Sequence, residues 1–194
     1  MLLVLVLFAS QSADAAGCKY QHNETDKFTK VVTRWTKWNA IAPTWGFSRV
    51  RHTPYISIHS VDDEVVLLLK IDLLRQEKQA PDMDELENFL VVSEGAPLFI
   101  TLADGTLLEL PALEDVRAWT NTTWPGENDP ESNLYVTTGS GTLKYPLDAA
   151  DLEALAGQPA SKVSVTTDNG SFDIEVHKKS VNDFMTAANC SLPN

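Results

Sequence analysis

The sequence predicts a mainly β domain, an antiparallel β-sandwich or partly open barrel with two or three short helices. Two hairpins carry that reading. In the first, Leu98, Ile100 and Leu102 alternate with Phe99, Thr101 and Ala103, the two-residue period of a strand with distinguishable faces. Asp104-Gly105 supplies residues that tolerate the positive φ of a tight turn, Leu107 to Leu110 runs back, and Gly95 and Pro111 bracket the unit. In the second, Val163 and Val165 face one way, the chain turns at Asp168-Asn169-Gly170, and Phe172, Ile174 and Val176 return on one face. The third observation is the rest of the chain, which brings the total to as many as ten short strand-like runs separated by turn residues, the pattern of a sandwich or barrel with helices over its ends.

A length of 194 residues gives one domain with a sizeable core. Hydrophobic content of 43% and charged content of 22% exclude wholesale disorder. The net charge of −12, with a pI near 4.6, repels phosphate backbones, so nucleic acid and anionic membranes are poor partners. Acidity otherwise serves solubility.

Leu2 to Phe8 is an apolar run too short to span a bilayer, and small and polar residues follow it. Ala13-Asp14-Ala15 fits the small-x-small pattern of signal-peptidase cleavage before Ala16. Residues 1–15 are therefore expected to be a signal peptide and residues 16–194 a single β-rich domain with no transmembrane segment. Export to the periplasm, the cell surface or the medium follows. Cleavage removes one acid and no base, which brings the net charge from −12 to −11. The two cysteines, Cys18 and Cys190, stand at opposite ends of the mature chain and admit two readings. One is an end-to-end disulfide in an oxidising compartment. The other is a lipid anchor on Cys18 after the small residues Ala15-Ala16-Gly17, with Cys190 left single. Zinc is not expected, because no second close pair of Cys or His ligands exists.

Cys18 to Thr29 is polar and reads as a lead into a first strand over Lys30–Trp38, where Val31, Thr33 and Trp35 alternate with Val32, Arg34 and Thr36. Gly46–His52 and Tyr55–His59 read as two strands split by Pro54. Val65 to Leu74 is the most apolar run of the mature chain and is expected as a central strand covered on both faces. Asp82, three residues before Glu85, resembles a capping box, with Met83, Leu86 and Phe89 or Leu90 facing inward on a short helix; a strand over Phe89–Val92 is the alternative. A strand around Val116–Thr120 precedes a polar loop from Asn121 to Ser132. Strands near Leu134–Thr138 and Thr142–Tyr145 follow, joined by a turn at Gly139-Ser140-Gly141. Asp148 caps a helix over Ala149–Ala156 with Leu152 and Leu155 inward and Gly157 as its stop. A last helix from Ser180 groups Val181, Phe184 and Met185 and delivers Cys190.

Three stretches carry a resemblance. Asn23-Glu24-x-Asp26-x-Phe28-Thr29 before a Lys/Val/Thr/Trp strand, the Gly95-x-x-Leu98-x-Ile100-x-Leu102-x-Asp104-Gly105 hairpin and Tyr145-Pro146-Leu147 resemble a group of uncharacterised small exported proteins of Bacteroidota-type bacteria. The resemblance touches most of the mature chain. It implies export and a bacterial source, and it brings no reaction and no catalytic residues.

Chemistry is concentrated in the segment from Trp119 to Asn133. Trp119 and Trp124 could stack on a sugar ring while Asn121, Asn128, Asp129 and Glu131 bond its hydroxyls; the same oxygens could hold calcium. The competing reading places Trp119 at the core end of a strand and Trp124 over the base of the loop. Trp35, Trp38 and Trp45 form a second aromatic group, in which strand spacing points Trp35 and Trp38 to opposite faces. His22, His52, His59 and His177 form no close ligand pair, and Gly139-Ser140-Gly141 lacks nucleophile-elbow spacing. Carboxylate pairs such as Asp62 with Glu64 fit turns. Asn23-Glu-Thr, Asn121-Thr-Thr and Asn189-Cys-Ser match the glycosylation pattern, which matters in a eukaryotic source.

The expected function is a non-catalytic binding or interaction module for a protein or glycan ligand. The alternative is an extracellular carbohydrate-active hydrolase using a carboxylate pair. An exposed aromatic strip favours the first, and a convergent acidic cleft with a strongly perturbed carboxylate favours the second.

Overall fold

The computed structural model describes residues 18–42, 50–127 and 131–192. Among them are thirteen strands, more than the ten expected, and three helices. The larger sheet has the order β1 (Tyr20–Thr25), β2 (Val32–Thr36), β4 (Val50–Val61), β5 (Glu64–Glu77), β11 (Tyr135–Leu147), β10 (Trp119–Thr123), with β3 (Asn39–Ala40) also paired to β4. The smaller sheet has the order β13 (Gly170–Glu175), β12 (Ala160–Thr167), β7 (Pro97–Leu102), β8 (Leu107–Pro111). A short ladder joins β6 (Val91–Val92) to β9 (Val116–Arg117). The pairings are antiparallel and the sheets do not close into a barrel, so the architecture is sandwich-like.

The two hairpins read from the sequence are the two halves of the smaller sheet. β7 pairs with β8, β12 pairs with β13, and the halves join through Val163 opposite Ile100 and Val165 opposite Leu98. Gly105 at φ 90° and Gly170 at φ 129° make the turns, a region glycine enters without a Cβ penalty. Leu98, Ile100, Val163 and Val165 are buried and meet Ile56 and Ile58 of β4, Leu67, Leu69 and Ile71 of β5, and Leu143 and Tyr145 of β11. Helices α2 (Ala149–Gly157) and α3 (Val181–Asn189) add Leu152, Leu155, Phe184 and Ala188 to the same core. Each large aliphatic residue so buried contributes about 1.5–3 kcal/mol.

Several elements differ from expectation. Pro54 does not split a strand, because β4 runs through it opposite Ile71. The Pro54 carbonyl accepts the Ile41 N–H at 3.1 Å. The missing donor therefore faces the two-residue β3 side, and the β5 ladder is untouched. Gly139-Ser140-Gly141 is not a turn either; it lies inside β11, opposite Leu73, Asp72 and Ile71. A Cβ on Gly141 would stand 2.6 Å from Leu90 Cδ2, and one on Gly139 would stand 2.8 Å from the Trp119 carbonyl oxygen. These glycines admit a close neighbour.

The polar lead contains β1, an edge strand. The expected Val116–Thr120 strand divides at Ala118, whose N–H bonds the Leu90 carbonyl, and β10 continues to Thr123. The expected loop is correspondingly shorter. β5 is central, and Leu67, Leu69, Ile71 and Leu73 are buried on one face, but Lys70 and Asp72 leave the other partly exposed.

In α1 (Met83–Glu87), Asp82 accepts from the N–H groups of Asp84 and Glu85, while the Glu85 carboxylate pairs with Arg75 instead of completing a capping box. Met83 is exposed and Leu86 buried. α2 has the reciprocal Asp148–Asp151 capping box, and Gly157 lies within its last turn rather than stopping it. Cys18 and Cys190 are joined in a disulfide, so in this structure the Cys18 thiol is not free for a lipid. The Tyr20 hydroxyl donates to the Cys190 carbonyl at 2.8 Å and fastens β1 beside it. No helix among the described residues is long and apolar enough to cross a membrane.

Candidate functional site

Strand parity sends one set of side chains from the larger sheet away from the core. Directly opposed residues share a face, so the register places His22, Trp35 and His59 in one row across β1, β2 and β4. Further along the strands, Tyr55 lies opposite Lys70, Asp72 opposite Ser140, and Ser140 opposite Trp119. These residues form a diagonal strip, at whose far end the register sets Trp119 beside Ser140.

The His22 and Trp35 rings are 4.6 Å apart between centroids, and the Trp35 and His59 rings are 5.0 Å apart and 13° from parallel. Trp38 meets His59 edge-on at 6.4 Å. The Lys70 ammonium stands 5.6 Å from the Trp38 centroid and 4.6 Å from that of Tyr55, within cation–π range. Its Nζ also pairs with Asp72 Oδ2 at 3.0 Å. Asp72 Oδ1 in turn accepts from the Ser140 hydroxyl at 2.7 Å. Four strand spacings separate Trp35 from Trp119, about 19 Å measured across the strands.

Trp35 and Trp38 therefore do not point to opposite faces. β2 ends at Thr36, the strict alternation ends with it, and both indoles reach His59. Trp45 lies outside the described residues. Burial pushes the His59 imidazole below its ordinary pKa of 6.5, so it is a neutral donor–acceptor at neutral pH. Lys70 and Asp72 compensate each other, and the centre of the strip carries little net charge.

Trp119 is 59% exposed, which rules out the reading that buries it at the core end of a strand. Trp124 is 62% exposed and meets Tyr135 edge-on at 5.5 Å. Tyr135 has the strand parity of Thr137, Leu143 and Tyr145, which point to the core, so the structure does not bring Trp124 together with Trp119. Glu131 is exposed, and Asn128 and Asp129 lie outside the described residues. The calcium reading thus falls largely outside them as well. Among the described residues no three His, Cys, Asp or Glu side chains converge as a metal set.

Two clefts carry carboxylates: one of about 230 Å³ lined by Asp62, Asp63 and Asp148, where Asp62 accepts from the Val32 N–H and Asp148 from the Asp151 N–H, and one of about 460 Å³ under α1. There Arg75 pairs with Glu77 at 2.9 Å and with Glu85 at 3.0 Å, so both carboxylates are engaged. Among the described residues, Asp151 is held above the ordinary carboxyl range, chiefly by burial, and it serves the α2 cap. None of these supplies the separated acid and base of a glycosidase.

No protein-family model, curated protein or solved structure matches the chain. Sequence reasoning picked out Trp35, Trp38 and Trp119 as aromatic residues but missed His59, Tyr55, Lys70, Asp72 and Ser140 as their companions. A signal was available, because Lys70 and Asp72 interrupt an apolar run two residues apart, the parity of one strand face.

Proposed function

We propose that this chain is an exported, disulfide-closed bacterial protein that works as a non-catalytic binding module and takes a glycan on the open face of its larger sheet. The observation that carries the reading is the strip of contacts from His22 and Trp35 through His59, Trp38, Tyr55, Lys70 and Asp72 to Ser140, with Trp119 opposite Ser140 on the next strand. Aromatic rings alternating with hydroxyl, carboxylate and ammonium groups suit a ligand that is itself apolar on its C–H faces and polar on its rim. A sugar chain has that character, whereas an apolar protein partner would call for an uninterrupted hydrophobic patch. The leader-like residues 1–15 and the disulfide support export, and the motif resemblance supports the bacterial source.

The test is binding of the mature chain to a panel of soluble neutral and charged polysaccharides by calorimetry. Trp35→Ala and Trp119→Ala are each expected to weaken binding about tenfold, close to 1.4 kcal/mol, with Trp124→Ala unchanged. Absence of binding across the panel, or an equal loss in all three variants, would contradict the proposal.

A further inference from the structure

Resting on the reading of this face as glycan-binding, we infer that the Lys70–Asp72–Ser140 cluster is its specificity subsite, and that it selects neutral glycans whose internal units carry a vicinal diol. The cluster lies in the middle of the strip, with Tyr55 and Trp38 on one side and Trp119 on the other. Its side chains are reachable, Lys70 being 29% and Asp72 36% exposed.

Their bonding capacity is not used up. A carboxylate has about four lone-pair sites, and Asp72 gives one to Ser140 and one to Lys70. An ammonium has three donors, and Lys70 directs one at Asp72. A strong acceptor and a strong donor are therefore offered side by side, 3.0 Å apart. Two hydroxyls on adjacent carbons match that pair, one donating to Asp72 and its neighbour accepting from Lys70. Such bonds to charged groups are the stronger class.

Rigidity favours selectivity over general stickiness. The Lys70 ammonium is held between two ring faces and a carboxylate, and Asp72 is tied at both oxygens, so little side-chain freedom is lost when a ligand arrives. Charge selects too. Lys70 is already neutralised by Asp72 and the chain is strongly acidic, so a polyuronate meets repulsion without a spare cation at the centre of the strip.

Linkage isomers isolate the diol. A 1,4-linked hexose chain presents adjacent 2- and 3-hydroxyls on each internal unit, whereas a 1,3-linked chain has no adjacent free pair there. Calorimetry of the mature chain with cellohexaose and mannohexaose against laminarihexaose should show at least one of the 1,4-linked ligands binding ten or more times tighter. Hexagalacturonate, 1,4-linked but charged, should bind at least tenfold more weakly than that ligand. Asp72→Asn and Lys70→Met should each bring the linkage ratio to within about twofold, and thermal melts would verify that both variants are folded. Trp35→Ala should weaken all linkages alike and keep the ratio.

Equal affinity for both linkages, or a ratio that persists in Asp72→Asn, overturns the subsite. If the equal binding still depends on Trp35, the glycan-binding reading stands and this inference alone falls. If no hexasaccharide binds, both fall.

Discussion

The Trp35 indole lies almost parallel to the His59 imidazole, 5.0 Å between ring centroids and 13° between planes, across the β2–β4 ladder. Stacking covers part of the imidazole, and burial holds His59 below its ordinary pKa of 6.5. Burial does the same to His52 on the core-facing side of β4. Well above pH 6.5 both folded and unfolded chains carry neutral imidazole, so these residues add no pH dependence there. As pH falls below 6.5 the unfolded chain takes up protons first, stability declines, and the decline is complete once pH lies below the folded-state values. The denaturation midpoint is expected to fall between pH 7.5 and 5.5, and to fall less in His59→Gln. A flat or rising midpoint would contradict the assignment.

Gly141 sits where a methyl group has no room, since a Cβ there would lie 2.6 Å from Leu90 Cδ2 and 3.0 Å from Ala118 Cβ. Gly141→Ala should destabilise the fold by about 1–3 kcal/mol through overpacking at the β6–β9 end of the core. Gly157 lies in the last turn of α2, and a Cβ there would meet no atom within 4 Å, so it should respond the other way. Gly157→Ala is expected to add about 0.5–1 kcal/mol through helix propensity. Urea melts of the two variants compare them directly.

Tyr145 is fully buried, and its hydroxyl has no hydrogen-bond partner among the described residues. Burial pushes its ionisation far above the ordinary range. An unpaired buried hydroxyl costs free energy, so removing it should help. Tyr145→Phe is expected to leave stability unchanged or raise it by about 1 kcal/mol in the same urea assay. A loss of more than about 1 kcal/mol would show that the hydroxyl has a partner.

Cys18 and Cys190 are separated by 172 positions, so their bond closes a loop that holds nearly all the described residues. In the chain-entropy account such a loop contributes about 4 to 5 kcal/mol. With the proposed export and processing, intact mass is expected to begin at Ala16, with both thiols resistant to alkylation until reduction. A mass beginning at an acylated Cys18 would make the protein a lipid-anchored one instead. Reduction should lower the urea midpoint by a comparable free energy.

The hairpins were legible because each of their strands has one face in the core, so Leu98, Ile100 and Leu102 alternate cleanly with their neighbours. β1 was illegible for the opposite reason. It is an edge strand with mostly exposed side chains, and the disulfide and the Tyr20 hydrogen bond fix it from the far end of the chain. Pro54, Gly139 and Gly141 look like punctuation in sequence, but a short neighbour on one side of β4 and a close-packed Leu90 beside β11 absorb them.

The proposed binding face was legible as individual aromatic residues and not as a surface. Trp35, Lys70 and Trp119 come together through the order and register of five strands, and local composition does not encode that register. The same register separates Trp119 from Trp124, which closeness in sequence had joined.

Backbone and indole N–H spectra of the isotopically labelled mature chain, recorded during titration with cellohexaose and mannohexaose, test the central claim most directly. At least one of these ligands is expected to shift resonances of Trp35, His59, Lys70, Asp72 and Trp119 together and to leave Trp124 in place. Shifts gathered instead around Trp124 and Glu131, or in the cleft between Arg75 and Glu85, would contradict it.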